Sequence, residues 1–183
     1  TSTGEGGTGD VQGHGLGLPH MLLTEAELGA IMLGASMVEG RGGDRELAKA
    51  AHDVVAKVSA VLPSSLRPVL REAPLMDVNL TPPLEDQIDP ALLRKALRES
   101  RIVEISYRDE EDTRTRRRIW PLAIGFMDHR RLLIAWCEMR EDFRHFRTDR
   151  IMELHLHEKR FRTPRAVMLK RWKAQEVERR QQT

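Results

Sequence analysis

The spacing of apolar and polar positions divides the chain into a helical first half and a strand-rich second half. Thr24-Glu25-Ala26-Glu27 has the spacing of a capping box, in which the threonine hydroxyl and the Glu27 carboxylate each satisfy a free amide at a helix start. Leu28, Ile31, Met32, Ala35 and Val38 recur at three- and four-residue steps, which predicts a helix ended by Gly40 and Gly42-Gly43. Asp44 is placed to cap a second helix, with Leu47, Ala51, Val54, Val55, Val58 and Leu62 as its stripe and Pro63 as its stop. The pair is expected to pack antiparallel, since Ala30, Gly34, Ala48 and Ala51 permit close approach. Prolines at 63, 68, 74, 82 and 83 predict a short helix and then an extended connection over residues 63–88. Asp89-Pro90 supplies a cap and a first-turn proline for a helix through Glu99, with Leu92, Leu93, Ala96 and Leu97 facing inward.

From residue 102 the period changes to two. Residues 102–108 alternate as one strand, and the acidic run 109–112 reads as a solvated hairpin turn rather than a metal site. A second strand is predicted over 114–127, bent or bulged near Pro121 and Gly125, with a turn at 128–130. Residues 131–138 are almost continuously apolar, as in a strand buried on both faces, and two shorter strands follow at 143–147 and 151–157. Five strands at this spacing suit a small barrel, whose closure leaves few exposed edges. Thr163-Pro164 begins a last helix that turns Val167, Met168, Trp172 and Val177 toward a neighbour. The predicted fold class is therefore α+β. A Gly-rich linker spans 1–17, a helical middle region 18–88, a five-stranded barrel 89–161 and a C-terminal helix 162–183.

Composition narrows the function classes. Seven glycines in residues 1–17 do not form a phosphate loop, because no strand precedes them. A single cysteine, Cys137, excludes an internal disulfide, and no Cys/His repeat has zinc spacing, so a reducing cytoplasmic setting without metal or cofactor is expected. No apolar run approaches the ~20 residues of a membrane helix. The first residue is Thr1 rather than methionine, which reads as an excised fragment. Residues 1–90 hold 6 Lys/Arg and 13 Asp/Glu, net −7, while residues 91–183 hold 24 and 15, net +9. A basic second half attracts phosphates through its summed field, or is only a solvated surface.

Several strings, in order, resemble the WYL-domain family of bacterial transcription regulators. Weak matches lie in Leu18-Pro19, in residues 22–27, in Leu33-Gly34-Ala35, and in Lys57-Val58 through Leu62-Pro63. Stronger ones are Val103-Glu104-Ile105-Ser106-Tyr107, Arg117-Arg118-Ile119-Trp120-Pro121-Leu122, Trp136-Cys137-Glu138 and residues 146–151. The resemblance implies an Sm/SH3-like barrel, a homodimer, and DNA bound through a winged helix for which there is no room before Pro19. Where the eponymous Trp-Tyr-Leu falls, this chain reads Arg131-Leu132-Leu133, a departure at the tyrosine to which the family assigns a ligand contact, which points to a different effector or to a subfamily that reads it differently.

The family's basic effector surface maps onto Tyr107, Arg117, Arg147 and Arg150. Arginine offers phosphate oxygens a permanently charged fork of donors and stacks on bases, and tyrosine stacks or donates one hydrogen bond. His145, between Arg144 and Phe146, joins this basic surface. Each residue also has a structural reading: Tyr107 as core, Arg150 as a brace on a nearby carboxylate, and Trp120 and Trp136 as buried packing. Arg114, Arg116 and Arg118 share a strand face opposite Arg117. His155 and His157 share a face without a third ligand, and Cys137 lies mid-strand. No nucleophile, base and orienting group come together, so an enzyme is not expected. The expected function is effector sensing and oligomerisation in a transcription regulator, with a nucleotide-like or single-stranded nucleic-acid ligand. The alternatives are a dimerisation module without effector and a nucleic-acid-processing enzyme.

Overall fold

A computed structural model describes residues 23–40, 44–64, 84–127 and 130–182. The expected linker at 1–17 and most of the connection at 63–88 lie outside them. Helix α1 (Glu25–Gly40) starts at the predicted capping box, where the Thr24 amide donates to Glu27 Oε2 at 2.7 Å and the Glu27 amide to Thr24 Oγ1 at 3.3 Å. Helix α2 (Arg45–Val61) is capped by Asp44, whose carboxylate accepts from the Leu47 amide at 3.1 Å. Helix α3 (Pro90–Glu99) has the cap Asp89 and ends at Ser100 in the left-handed region, φ 52°. Only Leu28 of the α1–α2 hairpin is buried, and Val54 is 46% exposed, so the stripe predicted on α2 does not become core.

Five strands follow: β1 (Arg101–Arg108), β2 (Arg114–Met127), β3 (Arg130–Cys137), β4 (Asp142–Arg147) and β5 (Ile151–Arg160). All neighbouring pairs are antiparallel, in the order β4-β3-β2-β1-β5, and a 3-10 turn at Thr148–Arg150 links the outermost strands. The ladder between β2 and β3 shifts register between Pro121 and Ala123, at the predicted bend, because proline has no amide to donate. Helix α4 (Arg165–Gln181) closes the fold.

The sheet is open, which departs from the closed barrel expected: the ladders end at β4 and β5. It is nevertheless strongly curled. Strands β1 and β4 are three places apart, about 14 Å in a flat sheet. Yet the rings of Tyr107 on β1 and Phe146 on β4 meet edge to face with centroids 5.2 Å apart.

Each face carries a core. On the concave face Val103, Ile105, Tyr107, Ile119, Leu133, Cys137, Phe146 and Ile151 pack with Leu93 and Ala96 of α3. On the convex face Ile102, Leu122, Ile134, Phe143, Phe161 and Met168 cluster with Trp120, Trp136 and Trp172. Strand β3 is buried on both faces, as its apolar run predicts. Some inward assignments are corrected: Leu92 is 40% exposed, and Val167 and Val177 point outward while Met168 and Trp172 make the contact. Trp120 and Trp136 are half-buried, and the Trp120 indole donates to Glu138 Oε1 at 2.7 Å.

Candidate functional site

The curl brings one end of β1, β2 and β4 together at the lip of the concave face. Tyr107 is almost buried there, and its hydroxyl accepts a long bond from the Arg147 amide, 3.4 Å. Arg117 pairs across the ladder with Ile105, so it faces the same side as Ile105 and Tyr107. Its guanidinium carbon lies 5.9 Å from the Tyr107 ring centroid and 5.8 Å from that of Phe146, a cation held over two aromatic faces. Its Nε donates to Thr115 Oγ1 at 3.0 Å, and among the described residues its two terminal nitrogens have no protein acceptor. The outward face of β2 carries Arg114, Arg116 and Arg118, all exposed, as the alternation predicts.

Arg147 and Arg150 flank the same lip but are engaged. Arg147 grips Asp149 with both prongs, Nε to Oδ1 at 3.1 Å and Nη2 to Oδ2 at 2.7 Å. The hydrogen bonding that Arg147 donates to Asp149 is the main cause raising its already high pKa. Burial works against ionisation of Asp149, but the Arg147 bond and charge, the backbone and Arg150 hold its pKa below the ordinary carboxylate range. Arg150 reaches Glu110 on the β1–β2 turn at 3.2 Å, and that glutamate is 83% exposed, free to swing aside. The cleft next to Arg150, about 360 Å³, is lined by Asp109, Glu110, Asp112 and Asp149 against Arg108 and Arg150. Four carboxylates make that cleft unfit for a phosphate, and the available cation of the lip is Arg117.

The structure thus brings together Tyr107, Arg117 and Arg147, whereas Arg150 turns to Glu110 in the neighbouring acidic cleft. His145 lies elsewhere: its Nε2 accepts from the Trp172 indole of α4 at 3.0 Å, with the rings edge to face.

A second polar cluster escaped the sequence reading. Arg131, in the tripeptide that departs from the family pattern, is 8% exposed and pairs with Asp86 at 2.5 Å. Thr148, the first residue of the 3-10 turn, donates to the other oxygen of Asp86 at 2.7 Å. Burial raises the Asp86 pKa, against the opposing effects of Thr148 and Arg131. The only sequence signal was an arginine opening an apolar strand, and its partner lies 45 residues away.

Comparison with known proteins gives one family match: the WYL domain, over residues 90–156, from α3 into β5. A solved structure similar to this chain is proteasome accessory factor B/C (PafBC) of Arthrobacter aurescens. It is 21% identical, with a TM-score of 0.39, and the alignment covers 75% of this chain and 21% of that one. Among the described residues no helix is long and apolar enough to cross a membrane.

Proposed function

With residues 90–156 forming a WYL domain, we propose that this chain is the effector-sensing and oligomerisation region of a WYL-type transcription regulator. Its ligand is nucleotide-like or single-stranded nucleic acid, bound at the concave lip, and it does no chemistry on that ligand. The observation that carries the reading is Arg117, stacked on Tyr107 and Phe146 with its terminal nitrogens unengaged. An arginine so oriented offers its outer face to a base and its donors to a phosphate. Arg147, clamped by Asp149, and Arg150, paired with the exposed Glu110, border the lip and shape it. An Sm/SH3-like barrel is the finer description of the fold that suits the strand order and the curl. In the full regulator, the ligand would bias a winged helix on DNA, which requires different effector affinity in two states.

The test is titration of the chain with a fluorescent single-stranded oligonucleotide and with a cyclic dinucleotide. Saturable binding of one of them is expected, weakening with salt and falling about tenfold or more in Arg117→Ala. Absence of saturable binding, or equal binding by the variant, rejects the reading.

A second reading, a dimerisation module without effector, is favoured by one observation. The α1–α2 hairpin leaves Leu47, Val54 and Val61 exposed and buries only Leu28. Self-association insensitive to salt, with neither ligand bound, supports it.

A further inference from the structure

A cavity of about 150 Å³ lies where the start of α2, the start of α3 and the β2–β3 hairpin meet. Leu47, Pro90, Leu93, Ile124 and Phe126 give it apolar walls. Leu93 is buried at 2% exposure, whereas Leu47 at 37% and Phe126 at 48% stand at the open side. The polar residues that border it are committed to one another: Asp86 to Arg131 and Thr148, and Arg94 to Asp44 and Glu46. An ordered water needs two to four polar partners, and among these groups Arg94 Nη1, buried beside Asp44 without a hydrogen-bond acceptor, is the one donor to spare. An enclosed apolar cavity of about this size stays dry and takes up benzene or xenon, and this one, although open on one side and bordered by charged residues, presents an almost wholly apolar wall. We infer that the seam between the α1–α2 hairpin and the sheet is a binding site for a small, uncharged aromatic or branched aliphatic molecule of about six to eight non-hydrogen atoms.

The size limit follows from the volume and the lack of charge from the mutual pairing of the bordering ions. A charged ligand would have to break the Asp86–Arg131 or Asp44–Arg94 pair and leave a largely buried partner uncompensated. The bound molecule touches α2 through Leu47 and the sheet through Ile124 and Phe126, so its occupancy ties the hairpin to the sheet. This site shares no apolar wall with the Arg117 lip, and its test is independent of that reading.

Toluene is the probe. Adding it to the whole chain is expected to raise the thermal midpoint saturably, to move the methyl NMR signals of Leu47, Leu93 and Ile124, and to slow hydrogen exchange in α2. Two filling variants, Ile124→Phe and Leu47→Phe, are each expected to weaken toluene affinity about tenfold or more. Arg117→Ala is expected to bind toluene as the unaltered chain does. No saturable response, methyl shifts confined to other residues, or toluene affinity within about twofold of the unaltered chain in whichever filling variant folds overturns the inference. If neither variant folds, the methyl map of the unaltered chain decides alone.

Discussion

Arg117 and Arg147 sit on the same lip with opposite commitments. Arg117 rests on two rings and one hydroxyl, so its removal is expected to cost affinity while leaving stability within about 1 kcal/mol. Arg147 is held in a bidentate, mostly buried pair with Asp149, and Arg147→Ala is expected to lower stability by about 1 kcal/mol, read from the denaturant midpoint. The pair also sets a pH dependence. Because the folded-state pKa of Asp149 lies below its unfolded value, the stabilisation is fully present above the ordinary carboxylate range near pH ~4 and is lost as pH falls through the lower folded value. The advantage of the unaltered chain over Asp149→Asn should therefore be constant from pH 7 to 5 and vanish in strong acid. A difference that does not shrink as pH falls below the ordinary carboxylate range would show that the carboxylate charge is not its source.

Among the elements, the 3-10 turn at Thr148–Arg150 carries the most connections. Its first residue anchors to Asp86, while Arg147 just before it pairs with Asp149 and Arg150 at its end pairs with Glu110. The Arg131–Asp86 pair beneath it is buried, with side chains 8% and 4% exposed. Removing one partner leaves a buried ion, and Asp86→Ala is expected to cost about 3 kcal/mol. Replacing both Asp86 and Arg131 with leucine is expected to recover more than half of that loss. Equilibrium unfolding of the two single variants and the double measures the coupling, and strictly additive losses would refute it. At this scale the sequence was readable in its punctuation: Thr24, Asp44 and Asp89 cap the helices where expected, because a cap depends on two to four neighbouring residues. The partner of Arg131 was not readable, since nothing local marks Asp86 as its match.

For the whole molecule, the balance of burial falls on one side. Among the described residues, the buried members of both apolar clusters lie between Ile88 and Met168, and the hairpin adds only Leu28 to the buried set. Residues 84–183 alone are therefore expected to unfold in one cooperative thermal transition, monitored by circular dichroism. A broad, non-cooperative melt would mean that the hairpin is part of the core. The acidic first half and basic second half attract, and that attraction becomes contact in Arg94 with Asp44 and Glu46 and in Arg131 with Asp86.

Element types, their order and their caps followed from the sequence by itself, because periodicity and capping are properties of residues close together in the chain. So did the two faces of β2, with Arg117 opposite Arg114, Arg116 and Arg118, because strand alternation admits no other arrangement. Tertiary structure alone decided that the sheet curls without closing, that Tyr107 meets Phe146, and that His145 turns to Trp172 instead of the lip. It also decided which arginines remain available, since a guanidinium binds whichever carboxylate the fold brings within reach. Chain-local pattern specifies what each side chain can do, and the packing of distant strands selects its partner.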